Sequence, residues 1–187
     1  MRPARFRGST AILRREPEPI MITNLEQLYF DQLRDIYSAE KQLIASLPEM
    51  AANASNEELR DAFNHHLQET KDQQSRLKTI CDRHGISPDG EDCEAMRGLI
   101  KEAAKHVTAT TPGNVRDAVL IASANRVEHY EIAAYGVAKA FADCLGFDDD
   151  MALLAESIEE EGAADETITR IATGGLFRSG VNEAALH

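Results

Sequence analysis

The sequence predicts an all-α protein: four long helices paired as two antiparallel hairpins, with a short fifth helix in the crossover between the pairs. Three observations carry this. Four long segments repeat apolar residues at spacings of three and four, the period of a helix with one buried face. The first and second segments, and the third and fourth, are joined by only a few residues, so each pair folds back on itself, whereas a long connection separates the second from the third. The apolar content is 43% of 187 residues, and it is aliphatic, with 5% aromatic residues and no Trp.

The first helix starts at residues 23–24, where Thr23 and Glu26 fit a capping box. Leu25, Leu28, Gln32, Ile36, Glu40, Leu43 and Leu47 then run down one face. Pro48 is expected to kink the helix without ending it. A turn follows at 54–56, and Ser55 with Glu58 forms a second capping box. The second helix presents Leu59, Phe63, His66, Thr70, Gln73, Leu77 and Ile80 inward, places Glu69 one turn from His66, and stops at Gly85. After a Pro- and Gly-containing turn at 86–90, residues 91–106 form the short helix, with Met96, Leu99, Ile100 and Ala103 apolar.

Asn114 is placed to cap the third long helix, 115–145, which ends at Gly146. Ile121, Ala124, Glu128, Ile132 and Tyr135 share its inner face, with Glu131 one turn beyond Glu128. Asp148, Asp149 and Asp150 favour the N-terminus of the fourth helix through its dipole. That helix runs to about Thr173, and its stripe reads Leu154, Ile158, Glu161, Asp165, Ile168 and Ala172. The bundle therefore occupies 21–174. Residues 1–20, with five Arg and three Pro, read as a disordered tail, Met21 as the natural start, and 175–187 as a loose C-terminal tail.

A formal net charge of -12 and a pI of about 4.9 argue against a nucleic-acid-binding surface. Only the Arg-rich first residues could support DNA binding, against a strongly acidic body. No segment is apolar enough to span a membrane. Cys81, Cys93 and Cys144 form neither a CxxC motif nor a disulfide framework, so they read as reduced thiols of a cytoplasmic protein. There is no phosphate loop, nucleophile elbow or zinc spacing, which removes the usual hydrolase and transferase chemistries.

The informative residues are the acids on apolar stripes. Glu128 sits where a core side chain belongs, at a cost on the order of several kcal/mol unless something neutralises it. Every long helix brings such groups inward: Glu40 from the first, His66 and Glu69 from the second, Glu128 and Glu131 from the third, Glu161 and Asp165 from the fourth. Glu159 and Glu160 are alternatives to Glu161 if the helix phase differs. Two divalent ions would balance four carboxylates, and carboxylates with an imidazole suit iron or manganese. The competing account pairs each acid with an arginine, for which Arg34, Arg76 and Arg126 are available, and treats His66 as a core histidine. The single long crossover is that of a ferritin-like bundle, whose di-metal sites are built from such carboxylates.

Several segments resemble the YciF/YciE family of ferritin-like bacterial stress proteins: Tyr37-Ser-Ala-Glu-Lys-Gln-Leu43, His66-Leu-Gln-Glu-Thr70, Cys93-Glu-Ala-Met-Arg-Gly-Leu-Ile100, Val115-Arg-Asp-Ala-Val-Leu-Ile-Ala122 and Val127-Glu-His-Tyr-Glu-Ile-Ala-Ala-Tyr-Gly136. The resemblance covers residues 21–171. It implies a ferritin-like fold, a homodimer, a stress-linked role and a metal site on Glu40, Glu69, Glu128 and Glu131. The di-iron pattern places Glu-x-x-His on two helices, and here Glu69 is followed at that spacing by Asp72 and Glu161 by Ala164. Two functions are therefore expected to compete: a di-metal protein that oxidises metal or handles dioxygen or peroxide, and a non-enzymatic interaction protein with a degenerate site.

Overall fold

Six helices and one two-stranded ribbon make up the described residues, 21–175 and 178–186, of the computed structural model. In chain order they are α1 (Leu25–Asn53), α2 (Glu57–Arg83), α3 (Glu94–Thr108), α4 (Asn114–Leu145), α5 (Asp148–Thr173), β1 (Gly174–Gly175), β2 (Arg178–Ser179) and α6 (Val181–Ala184). α1 packs on α2 and α4 on α5, as the short connections require; α1–α4 and α2–α5 contacts close the bundle, and α3 lies against α1 and α4. The all-α bundle of two hairpins is the architecture the periodicity predicts.

The inward stripe of α2 falls where the spacing places it, whereas Ile132 on α4, Ile158 and Asp165 on α5, and Leu99 and Ile100 on α3 are only half-buried. All seven residues assigned to the inner face of α2 are buried. On α1 the buried line runs through Tyr29 and Leu33, and Leu25, Leu28 and Gln32 are only half-buried. Pro48 lies inside α1, which continues to Asn53.

The caps differ in register from the expected ones. Asn24, not Thr23, caps α1, accepting from the Gln27 N–H at 2.8 Å. Asn56, not Ser55, caps α2, accepting from the Leu59 N–H at 3.1 Å. The Ser55 and Asn56 N–H groups instead donate to the two carboxylate oxygens of buried Asp117, at 2.7 and 2.9 Å, so α4 caps the α1–α2 turn from outside. The short helix begins at Glu94 rather than residue 91, capped by Cys93. Gly113 is the residue before α4, and Asn114 donates to the Ala184 carbonyl at 2.9 Å.

The expected loose C-terminal tail is a correction. β1 and β2 pair antiparallel, and Val181 of α6 is buried in the apolar cluster with Phe63, Ile121 and Ile168. Gly174 makes this turn practicable: its φ of 71° is left-handed, and a Cβ there would fall on the Arg178 carbonyl and the Gly180 nitrogen. The Arg-rich tail, 1–20, lies outside the described residues. Among these, no helix is long and apolar enough to cross a membrane.

The core is split. One apolar cluster contains Leu43, Leu47, Phe63, Leu120, Val127 and Ile168; the other contains Tyr29, Leu33, Ile36, Leu77, Tyr135 and Leu154. Along every long helix the changeover from one cluster to the other is marked by buried polar residues: acids, one imidazole, one amide and hydroxyls. The bundle thus holds a polar layer between two apolar halves.

Candidate metal centre

Four helices supply the polar layer. Glu40 from α1, His66 and Gln73 from α2, Glu128 and Glu131 from α4 and Glu161 from α5 are all almost fully buried. Residues 128 and 131, three apart on α4, project from one face. Ligand atoms of His66, Glu128, Glu131 and Glu161 lie within 4.8 Å of one another. His66 Nε2 is 3.4 Å from Glu128 Oε2 and 3.9 Å from Glu161 Oε2, and His66 Nδ1 is 3.5 Å from Glu69 Oε2. Tyr135 donates to Glu40 Oε1. Gln73 donates to Glu161 Oε1 and, at 3.1 Å, to Glu160.

These contacts leave most of the layer unsatisfied. Glu40 Oε2, both ring nitrogens of His66, Glu128 Oε2, both oxygens of Glu131 and Glu161 Oε2 are buried without a hydrogen-bond partner. Burial drives the Glu40, Glu128 and Glu131 carboxyls well above the usual carboxylate range, and Glu161 pushes each of them further up. Burial also raises the Tyr135 hydroxyl, reinforced by Glu40. At His66 burial opposes the charged ring, but Glu69 and Glu161 outweigh it and the net shift is upward. The His66 ring in turn holds Glu69 below its usual value.

The other buried acids behave differently. Asp117 has both oxygens occupied by backbone donors. Asp150 accepts from Tyr29 at 3.0 Å and from Arg83, and pairs with His84 Nε2 at 2.6 Å. This fold satisfies a buried carboxylate fully where the role is structural, and the central layer is where it does not.

The arginines considered as partners turn elsewhere. Arg34 donates to the Ser87 carbonyl at 3.2 Å, Arg76 binds Glu160 and Glu156, and Arg126 is exposed. The phase on α5 is thereby settled: Glu161 points inward, Glu160 goes to Arg76 and Glu159 is exposed. Of the residues singled out by spacing, His66, Glu128, Glu131 and Glu161 come together. Glu40 joins the same layer through Tyr135. Glu69 is half-buried at the rim, behind His66. Asp165 is not part of the group: it accepts from Asn125 at 2.7 Å and faces His129 at 3.6 Å on the outer side of the α4–α5 pair. Asp165 is half-buried rather than inward, one turn beyond Glu161 and rotated from it by about 40°. Sequence spacing gave no role to Asp117 or the Tyr135–Glu40 contact and read Asp150 only as a helix-dipole acid, because the contacts each makes are with partners about 60 residues or more away.

The donor set fits a divalent cation. Ligands on opposite sides of a small divalent ion, at about 2.1 Å each, are separated by roughly 4.2 Å, so atoms already within 4.8 Å need little contraction. The set is three carboxylates and one imidazole, and the free oxygen of Glu40 is a further donor.

The profile of the family described as "Domain of unknown function (DUF892)" matches residues 24–185. The chain belongs to the DUF892 family. Protein YciF of Escherichia coli (strain K12) is 40% identical over 161 residues, which are 86% of this chain and 97% of that protein. The crystal structure of that protein, described as a stress protein, superposes with a TM-score of 0.76 at 42% identity, over 79% of this chain and 94% of that chain. The solved structure of YcfI from Rhodopseudomonas palustris gives a TM-score of 0.79 at 40% identity, over 81% and 96% of the two chains. The resemblance read from the sequence thus holds across the DUF892 region.

Proposed function

We propose that this DUF892 protein binds divalent metal in its polar layer, iron or manganese, and couples oxidation of that metal to reduction of dioxygen or peroxide under stress. The observation that carries the reading is the set of unsatisfied carboxylate oxygens in a fold that satisfies its other buried acids. His66, Glu128, Glu131 and Glu161 would hold one ion, and Glu40 offers an oxygen to a second. Hard oxygen donors with a single imidazole favour Mn(II) or Fe(II) over softer ions. Such an ion, when bound, supplies the redox chemistry. The chain's own contribution is to exclude water with two apolar halves, to fix Glu40 through the Tyr135 hydroxyl, and to fix Glu161 through the Gln73 amide.

A stress role is supported by the description of the E. coli relative as a stress protein. A homodimer is proposed from the family resemblance, and a cytoplasmic location from the free thiols; light scattering tests the first and fractionation the second. The missing histidines at positions 72 and 164 favour a second reading, an interaction protein with a degenerate site. Elemental analysis of protein grown with iron and manganese and purified without chelator decides between the two. The metal reading expects about two ions per chain, lost in Glu128→Ala, and Fe(II) oxidation faster than in buffer that disappears in the Glu40→Ala/Glu128→Ala double variant. Absence of bound metal overturns the metal reading and leaves the second.

A further inference from the structure

The buried group needs a route for its ion, and among the described residues a cavity reaches it. An opening of about 90 Å³ between α2 and α5 is lined by His65, His66, Glu69, Ala163, Ala164 and Thr167 among others. Such a volume holds a few waters, enough for a partly hydrated ion. The larger cavities, beneath α3, beside the C-terminal ribbon and at the α4–α5 turn, are lined by none of the central ligands. From α5 the opening is lined by the small residues Ala163 and Ala164 and, one turn on, by Thr167 and Ile168.

Three side chains form a path. At the mouth, His65 Nε2 and Glu69 Oε1 are 3.2 Å apart, one helical turn from each other. Two adjacent ligands on one divalent ion, each at about 2.1 Å, lie roughly 3 Å apart, so this pair already has a chelating separation. Behind it stands His66, 3% exposed, one ring nitrogen towards Glu69 and the other towards Glu128 and Glu161. Neither nitrogen holds a hydrogen bond, so turning the ring exchanges only its ion-pair contacts, at 3.4 Å with Glu128 and 3.5 Å with Glu69.

We propose that divalent ions reach the centre through this opening, captured at the mouth by His65 and Glu69 and passed inward by the His66 ring. The path rests on the metal-binding reading above. It gives Glu69 a transient role, distinct from that of a resident ligand, and gives the run of small residues on α5 a function.

The test is the rate of Co(II) or Mn(II) uptake by the metal-free full chain, followed by stopped-flow absorption or competition with a chelating dye, together with the final stoichiometry. Glu69→Gln removes the charge at the mouth, and Ala164→Leu narrows the opening. Each is expected to slow uptake on the order of tenfold while final stoichiometry stays that of the parent. Ala104→Leu, in the cavity beneath α3, is expected to leave the rate unchanged. Uptake at the parental rate in Glu69→Gln and Ala164→Leu overturns the path, as does a reduced stoichiometry at parental rate in Glu69→Gln, which makes Glu69 a resident ligand. If Ala164→Leu does not fold by circular dichroism, Glu69→Gln, a half-buried rim position, decides alone. A parent that takes up no ion refutes the metal-binding reading itself and the path with it.

Discussion

Replacing Glu131 by Gln should stabilise the metal-free protein while weakening its response to metal. Both oxygens of Glu131 are buried without partners, and its ligand atom shares a 4.8 Å neighbourhood with those of Glu128 and Glu161. At an effective dielectric constant of about 20, two like charges at that distance repel by about 3.5 kcal/mol. Protonation already relieves part of this, since burial and Glu161 hold the Glu131 carboxyl above its usual range. The remaining gain at about pH 8 is about 1–3 kcal/mol, or roughly 3–10 °C in Tm for a chain of this size. The amide of Gln also donates to the neighbouring carboxylates, which have vacant acceptors. The assay is calorimetry in chelator and then with saturating Mn(II). The parent should gain several degrees from metal and Glu131→Gln much less. Asp150→Asn is the control of opposite sign: its carboxylate is satisfied by Tyr29, Arg83 and His84, so the change should cost about 2–4 kcal/mol. A Glu131→Gln protein less stable than the parent in chelator would refute the reasoning, because the central carboxylates would then be neutralised from within the chain.

Further outcomes follow from the same geometry. The raised Glu40, Glu128 and Glu131 carboxyls bind protons in the folded state above the unfolded value of about 4.3, so their stabilising contribution is present at low pH and lost as pH rises through the raised values. Metal-free Tm should therefore climb as pH falls from about 8 to about 6, and saturating Mn(II) should reverse the slope, because the ion competes with those protons. Asp117→Ala strips two backbone N–H groups of their acceptor at the α1–α2 turn and should lower stability by about 1–2 kcal/mol in urea titration, without changing metal stoichiometry. A thiol reagent should modify exposed Cys144 at once and Cys81 and Cys93 only on unfolding, as both are buried and burial raises the Cys81 thiol to about 11.

The sequence by itself determined the helices, their pairing and most of the inward faces. Helical periodicity is a local property, so His66 and Gln73 on α2, Glu128 on α4 and Glu161 on α5 could be placed inside from spacing alone. Loop length then made the two hairpins, since a three-residue turn leaves no alternative to antiparallel packing. Register at the ends was less legible: Asn24 and Asn56 displaced Thr23 and Ser55 as caps because neighbouring polar residues compete for the same N–H groups. The C-terminal ribbon was invisible because its stability comes from Val181 reaching a core formed by distant helices, and from a glycine whose need is set by the opposing backbone.

Tertiary structure alone decided which inward acids meet. Asp165 and Glu161 share a stripe on α5, yet only Glu161 reaches His66 and Glu128; Asp165, one turn on and rotated by about 40°, meets Asn125 and His129 instead. Glu69 and His66, three residues apart on α2, lie on neighbouring lines of the helix, and His66 is the one that reaches Glu128 while Glu69 stays at the rim. Periodicity fixes a residue's angle about its own helix. The distance between two side chains on different helices depends on crossing angle and on axial offset, and those are set by how whole faces pack.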